Sequence, residues 1–151
     1  MSEKDERYMR RALELADIAG ELGEAPVGAV VVCGGEIVGE GYNRRETDKG
    51  ATLHAEIIAI EEACRRIGDW RLSECELYVT LEPCPMCAGA ALNARLKRVV
   101  YGAADEKYGC CGGHINLFEF GFWSRPAIKS GVLSEECEKQ LKLFFDNIRE
   151  K

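Results

Sequence analysis

The chain has 151 residues, 46% of them hydrophobic, with 26 Asp and Glu against 20 Lys and Arg for a formal charge of −6. That is enough apolar material for one globular domain over 1–151, and no run is long enough to span a membrane. The acidic balance argues against a uniformly basic nucleic-acid surface, although local patches decide such binding.

The start, Met1 to Arg7, is charged and lacks the apolar stretch of a secretory signal, so a cytoplasmic protein is expected. Residues 4–22 place Met9, Leu13, Ala16 and Ala19 at helical spacing and end before Gly23. Val27 to Cys33 and Glu36 to Tyr42 read as two strands joined by a tight Gly34-Gly35 turn. Asn43 to Thr52 is a polar loop. A helix is predicted over 54–67, ending near Gly68, with Thr52 as its N-cap and Ile57, Ile58, Ile60 and Ala63 facing inward.

Glu76 to Leu81 reads as a strand, Pro85 to Ala94 as a helix and Lys97 to Gly102 as a further strand. Asp105 to Gly113 is a loop rich in glycine and cysteine. Ile115 to Trp123 reads as a short helix or a buried loop, and Pro126 to Val132 as a last strand. Ser134 opens a helix, with Glu135 and Glu136 in its first turn, running towards Arg149. This alternation implies an α/β sandwich in which the hairpin adds an antiparallel edge to a mostly parallel sheet.

Two short pieces carry the chemistry. In the first, His54-Ala55-Glu56, the histidine lies at a helix start with a carboxylate beside it. The second, Pro83-Cys84-Pro85-Met86-Cys87, puts two sulfurs on one face of a helical first turn, where negative charge is favoured. A C-x-x-C alone is more often a redox pair or half of a structural zinc knuckle. A knuckle wants a second close pair, however, and Cys110-Cys111 are adjacent and poorly spaced to share a metal with Cys84 and Cys87. His54, Cys84 and Cys87 together give three ligands and leave a fourth position to water, the pattern of a catalytic zinc, with Glu56 free to carry protons. The other cysteines, Cys33, Cys64, Cys75, Cys110, Cys111 and Cys137, are expected as small buried or half-buried residues. Arg44, Arg45 and Lys49 form one basic group, and Arg95, Lys97 and Arg98 a second.

The composite H-x-E then P-C-x-x-C is the established signature of zinc-dependent nucleobase deaminases, and this chain matches it. With Ala25 to Val31, Gly41-Tyr42-Asn43-Arg44, His54 to Ile60, Asp69-Trp70-Arg71-Leu72, Leu77 to Ala90, Gly131-Val132-Leu133, Glu136-Cys137 and Phe144-Phe145, the chain resembles the cytidine-deaminase-like superfamily. Within it the chain is most similar to the bacterial tRNA-specific adenosine deaminases, which make inosine at the wobble position.

The resemblance implies a three-layer α/β/α fold with a five-stranded mixed sheet, a homodimer and one zinc per subunit. It assigns zinc to His54, Cys84 and Cys87, proton transfer to Glu56 and a purine hydrogen bond to Asn43. It also implies that the Ala55 backbone orients the ring, that Val27 walls the pocket, and that Asp105 and Lys107 sit in a loop facing an anticodon stem-loop. Two other readings stay open: a deaminase of a free nucleobase or nucleoside (guanine, cytosine or cytidine-like), and a zinc-stabilised RNA-binding protein without turnover.

Overall fold

The structure, a computed structural model, describes residues 2–149, the side chain of Arg149 excepted. Met1, Glu150 and Lys151 of the expected 1–151 domain therefore lie outside the described residues, as does the side chain that closes the last helix. In chain order the elements are α1 (Glu3–Glu21), β1 (Gly28–Cys33), β2 (Glu36–Tyr42), α2 (Ala55–Ile67), β3 (Cys75–Leu81), α3 (Pro85–Asn93), β4 (Arg98–Ala103), a 3₁₀ turn (Leu117–Glu119), β5 (Ala127–Lys129) and α4 (Ser134–Arg149).

The turn between β1 and β2 holds Gly34 at φ 61° and Gly35 at φ 80°, the double left-handed geometry that a two-residue hairpin demands. The register slips once, between Val31 and Val32, leaving Val38 as a bulge. The strands order as β2-β1-β3-β4-β5. β1 is antiparallel to both β2 and β3, whereas β3-β4 and β4-β5 are parallel. The sheet is thus evenly mixed, which corrects the expectation of an antiparallel edge on a mostly parallel sheet. Two hydrophobic strands in succession do not reveal which third strand they will join.

Strand alternation divides the core in two, as a period of two requires. Val31, Leu77, Val79 and Val99 face α2 and α3, while Val30, Val32, Tyr78 and Val100 face α1 and α4 through Tyr8, Met9, Ala12 and Cys137. The result is three layers, helix pair on sheet on helix pair. The six cysteines outside the proposed ligand set are buried or half-buried free thiols.

α2 sits on the sheet by main-chain contact. A Cβ at Gly39 would strike the Ala59 carbonyl, and one at Gly41 the Ala55 carbonyl. Its buried face is accordingly made of small residues, Ala55, Ala59 and Ala63, together with Glu56 and Ile60. Ile57 and Ile58, expected to face inward, are only half-buried, because Ala55, Ala59 and Ala63 occupy the face seated on the sheet. The helix ends at Gly68 in the left-handed region, φ 80°.

Three further expectations change. The last strand is shorter than Pro126 to Val132, since only Ala127–Lys129 finds partners along β4. Of the 115–123 segment, Phe118 is buried under the 3₁₀ turn, but Phe120, Phe122 and Trp123 are exposed, so it is no buried loop. Arg98 does not belong to a solvated basic group. It reaches back to Asp5, 2% exposed, which it meets at 2.7 Å together with the Tyr78 hydroxyl at 2.7 Å and Lys129 at 2.6 Å. No helix among the described residues is long and apolar enough to cross a membrane.

Candidate active site

β1 and β2 run opposite to each other and β1 opposite to β3, so the start of β1, the end of β2 and the ends of β3 and β4 all lie at one edge of the sheet. The chemistry gathers there. β2 leads into Asn43, α2 starts after His54, and β3 runs through Glu82-Pro83 into Cys84 and α3. Carboxyl ends of parallel strands are where α/β sheets leave an open crevice.

His54 is itself the N-cap of α2, at φ −82° and ψ 152°, and not a member of the first turn behind a Thr52 cap as the sequence suggested. Its side chain makes no capping bond and is therefore free to turn to the metal site. Cys84 is likewise the N-cap of α3, with Pro85 at the first helical position and Cys87 three residues on. Proline suits that place because its missing N–H would have had no helical partner. Each sulfur lies 3.6 Å from His54 Nδ1, and the three ligand atoms fall within 4.8 Å of one another. A nitrogen and two sulfurs converging at helix starts fit a tetrahedral zinc with one vertex left over.

These contacts shift the three groups in different directions. The Cys87 thiol donates to Cys84 and His54 adds a second hydrogen bond, and together they overcome burial and hold the Cys84 thiol at about 4. His54 is raised, chiefly by its bond to that thiolate. Cys87 is pushed far up, since its proton is held by Cys84 and its sulfur is buried.

Glu56, one residue into α2, is 4% exposed. Burial pushes its carboxyl up to about 7, and the negative Cys84 beside it adds to the rise. The group can therefore exist in either protonation state near neutral pH.

A cavity of about 190 Å³ opens over these groups, lined by Ala25, Val27, Asn43, Arg45, His54, Glu56, Leu81, Glu82, Cys84 and Asp105. Of the residues singled out from the sequence, Val27, Asn43, His54, Glu56, Cys84 and Asp105 are on its wall, and Cys87 closes the ligand trio beneath. Asn43 uses Oδ1 to accept the Ala55 N–H at 2.9 Å. Its amide NH₂ finds no partner among the described residues and is available as a donor.

The Ala55 N–H is thereby already used, so any orienting role of that backbone acts through Asn43. Lys107 does not line the cavity. It is exposed, its N–H is held by Asp105 Oδ1 at 3.0 Å, and its ammonium lies 6.0 Å from the Tyr108 ring. Of the first basic group, Arg44 is paired to Asp48 at 2.7 Å, while Arg45 stands at the cavity lip.

Sequence reasoning missed Ala25, Leu81 and Glu82 as cavity residues. Glu82 precedes the Pro-Cys turn directly, yet nothing in the local pattern says that a carboxylate there is buried, at 2% exposure. Glu24 is a second hidden organiser: its carboxylate, 3% exposed, accepts Thr47 N–H and Oγ1, both at 2.6 Å, and Glu46 N–H at 3.2 Å, fixing the loop that carries Arg45.

The chain is similar to known proteins in sequence and in fold. Residues 2–103 match the cytidine and deoxycytidylate deaminase zinc-binding region. A tRNA-specific adenosine deaminase of Bacillus subtilis (strain 168) is 49% identical over 149 residues, covering 98% of this chain and 92% of its own. A solved tRNA:A34 deaminase, studied for A-to-I editing at the wobble position of transfer RNA, superposes with TM-score 0.86 at 39% identity over 89% of this chain and 98% of that one. A Bacillus subtilis guanine deaminase superposes less completely, with TM-score 0.64 at 43% identity over 69% of this chain and 66% of that one.

Proposed function

The chain belongs to the cytidine and deoxycytidylate deaminase zinc-binding family and groups with its tRNA-specific adenosine deaminases, and from that premise we propose that it converts adenosine to inosine at the wobble position of tRNA. The observation that carries this reading is the buried Glu56 carboxylate beside a His54, Cys84 and Cys87 trio in one cavity that also presents the Asn43 amide. A zinc-stabilised binding protein would need neither the carboxylate nor a three-ligand site.

His54, Cys84 and Cys87 would hold one zinc, which would supply Lewis acidity toward water. Glu56 does the proton work. Its carboxylate takes a proton from the attacking water, hands it to the ring nitrogen next to the amino-bearing carbon, and serves again as the amino group leaves as ammonia. Asn43 donates its NH₂ to a ring acceptor while Ala55 N–H fixes its other end. Val27 packs against the base, and Asp105 forms part of the loop wall, with Lys107 on the outside of that loop towards the RNA backbone. A homodimer is what the resemblance to the family implies.

The alternative, a free-base deaminase, draws on the acidic total and on the likeness to guanine deaminase. Zinc-loaded protein offered an anticodon stem-loop with A at the wobble position should release ammonia, and offered guanine, cytosine or cytidine should not. Ammonia from the free bases alone would replace the tRNA reading, and ammonia from neither would end both. Glu56→Ala should keep its zinc and lose turnover; loss of zinc would make Glu56 a ligand and overturn its proton role.

A further inference from the structure

Glu82 lies at the join of β3 and the Pro83-Cys84 turn, and no cation among the described residues pairs with it. Three main-chain donors do. The Asp105 N–H reaches Oε1 at 3.0 Å, and the N–H groups of Cys111 and Gly113 reach Oε2 at 2.9 and 2.7 Å. All three belong to the loop that follows β4. Bonds to an ionised acceptor are about twice as strong as neutral ones, and a buried carboxylate stripped of them has no other source of compensation.

The loop is shaped around this carboxylate. A Cβ on Gly109 or on Gly113 would strike Glu82 and the Asp105 carbonyl, so both positions need the bare backbone of glycine. The fold of the loop is completed by Gly109 N–H on Asp105 O and Cys110 N–H on Pro83 O, each at 2.9 Å. Asp105, whose own N–H is one of the three, lines the catalytic cavity with His54 and Glu56.

From this geometry we propose that Glu82 is a positioning residue for the deamination: through the main chain it holds the 105–113 loop as one wall of the cavity, so that substrate fit is set from the strand end that also delivers Cys84. The inference rests on the deaminase reading of that cavity. Glu82 acts through the loop, while the metal trio and Glu56 are carried by α2 and α3. Glutamine at 82 keeps the shape but turns one oxygen into an NH₂ group that meets N–H donors. The loop then loosens while the two helix starts stay in place.

The test is Glu82→Gln in the zinc-loaded full chain. Zinc content is expected to equal that of the parent, kcat on the stem-loop to stay within about twofold, and KM to rise about tenfold. A second measurement needs no substrate: the amides of Asp105, Cys111 and Gly113 should exchange hydrogen at least about tenfold faster, with those of Ala88 and Ala91 in α3 unchanged. Gly113→Ala should show the same pattern, and the double variant should be little worse than either single one, because both break one contact. Unchanged exchange at the three amides, a fall in kcat at constant KM, or loss of zinc would each overturn the proposal. If the parent deaminates no substrate, it is the deaminase reading that fails, and the exchange data still judge whether Glu82 holds the loop.

Discussion

Asn43 Oδ1 accepts the Ala55 N–H at 2.9 Å, so the residue that follows β2 caps the first turn of the helix carrying Glu56. The oxygen of this amide thereby orders α2, while its nitrogen, on a residue that lines the cavity, has no partner among the described residues. Asn43→Asp separates them. The carboxylate still accepts from Ala55, at a helix N-terminus that favours it, but offers no donor and adds charge beside Glu56. The expected result is an unchanged melting temperature with kcat/KM on the stem-loop lower by about 100-fold, on the order of 3 kcal/mol of lost transition-state stabilisation.

Gly41 tests how the histidine is seated. Its substitution by alanine would drive a methyl into the Ala55 carbonyl, main chain against main chain, where no side chain can swing aside. Overpacking of this kind costs about 3 kcal/mol. Urea denaturation should show that loss, and zinc affinity should fall with it because His54 rides on the displaced helix.

Chelation should abolish turnover reversibly. The two core clusters close over α1, α2, α3 and α4 without help from an ion, so far-UV circular dichroism is expected to survive metal removal. The melting temperature should drop by a few degrees, the binding free energy being lost from the folded state alone. Re-addition of zinc should restore activity. Zinc affinity should weaken as pH is lowered, because thiol and imidazole ligands must give up their protons to bind the metal.

Far from the chemistry, Asp5 governs acid stability. Burial works to raise its carboxyl, but hydrogen bonds from Arg98, Lys129 and Tyr78 outweigh burial and hold it well below the ordinary carboxylate range. A value lower in the folded than in the unfolded chain gives stability that is complete above about pH 4 and lost as pH falls below that. Asp5→Asn should cost about 2 kcal/mol at neutral pH, by removing the buried carboxylate that half-buried Arg98 and Lys129 share. It should also flatten the stability curve below about pH 4 while leaving kcat untouched. Equilibrium unfolding at neutral pH and again about four units lower measures both.

What could be read from the residues was local. The Gly34-Gly35 turn, the stop at Gly68, and the Pro85 start are written in a few neighbouring positions, and they came out where expected. So did the convergence of His54 with Cys84 and Cys87, because a helix start aims its first side chains in a known direction. What could not be read depends on partners distant in the chain. Nothing near Val30 says that it will lie antiparallel beside Tyr78, nothing near Arg98 points to Asp5, and nothing near Glu82 announces three amides some 23 to 31 residues on. The Thr52 cap failed for a different reason: a histidine can occupy the cap position, as His54 does, without its side chain capping, and the pattern of a cap carries no mark of that.

The glycines at 39 and 41 leave no cushion of side chains beneath the helix that bears the imidazole and the acid. Sheet and helix consequently behave as a single slab at that place. The opposite face is seated in the same way, where a Cβ at Gly28 would strike the Ala12 carbonyl of α1, so a single added methyl at 28, 39 or 41 meets main chain on one side of the sheet or the other.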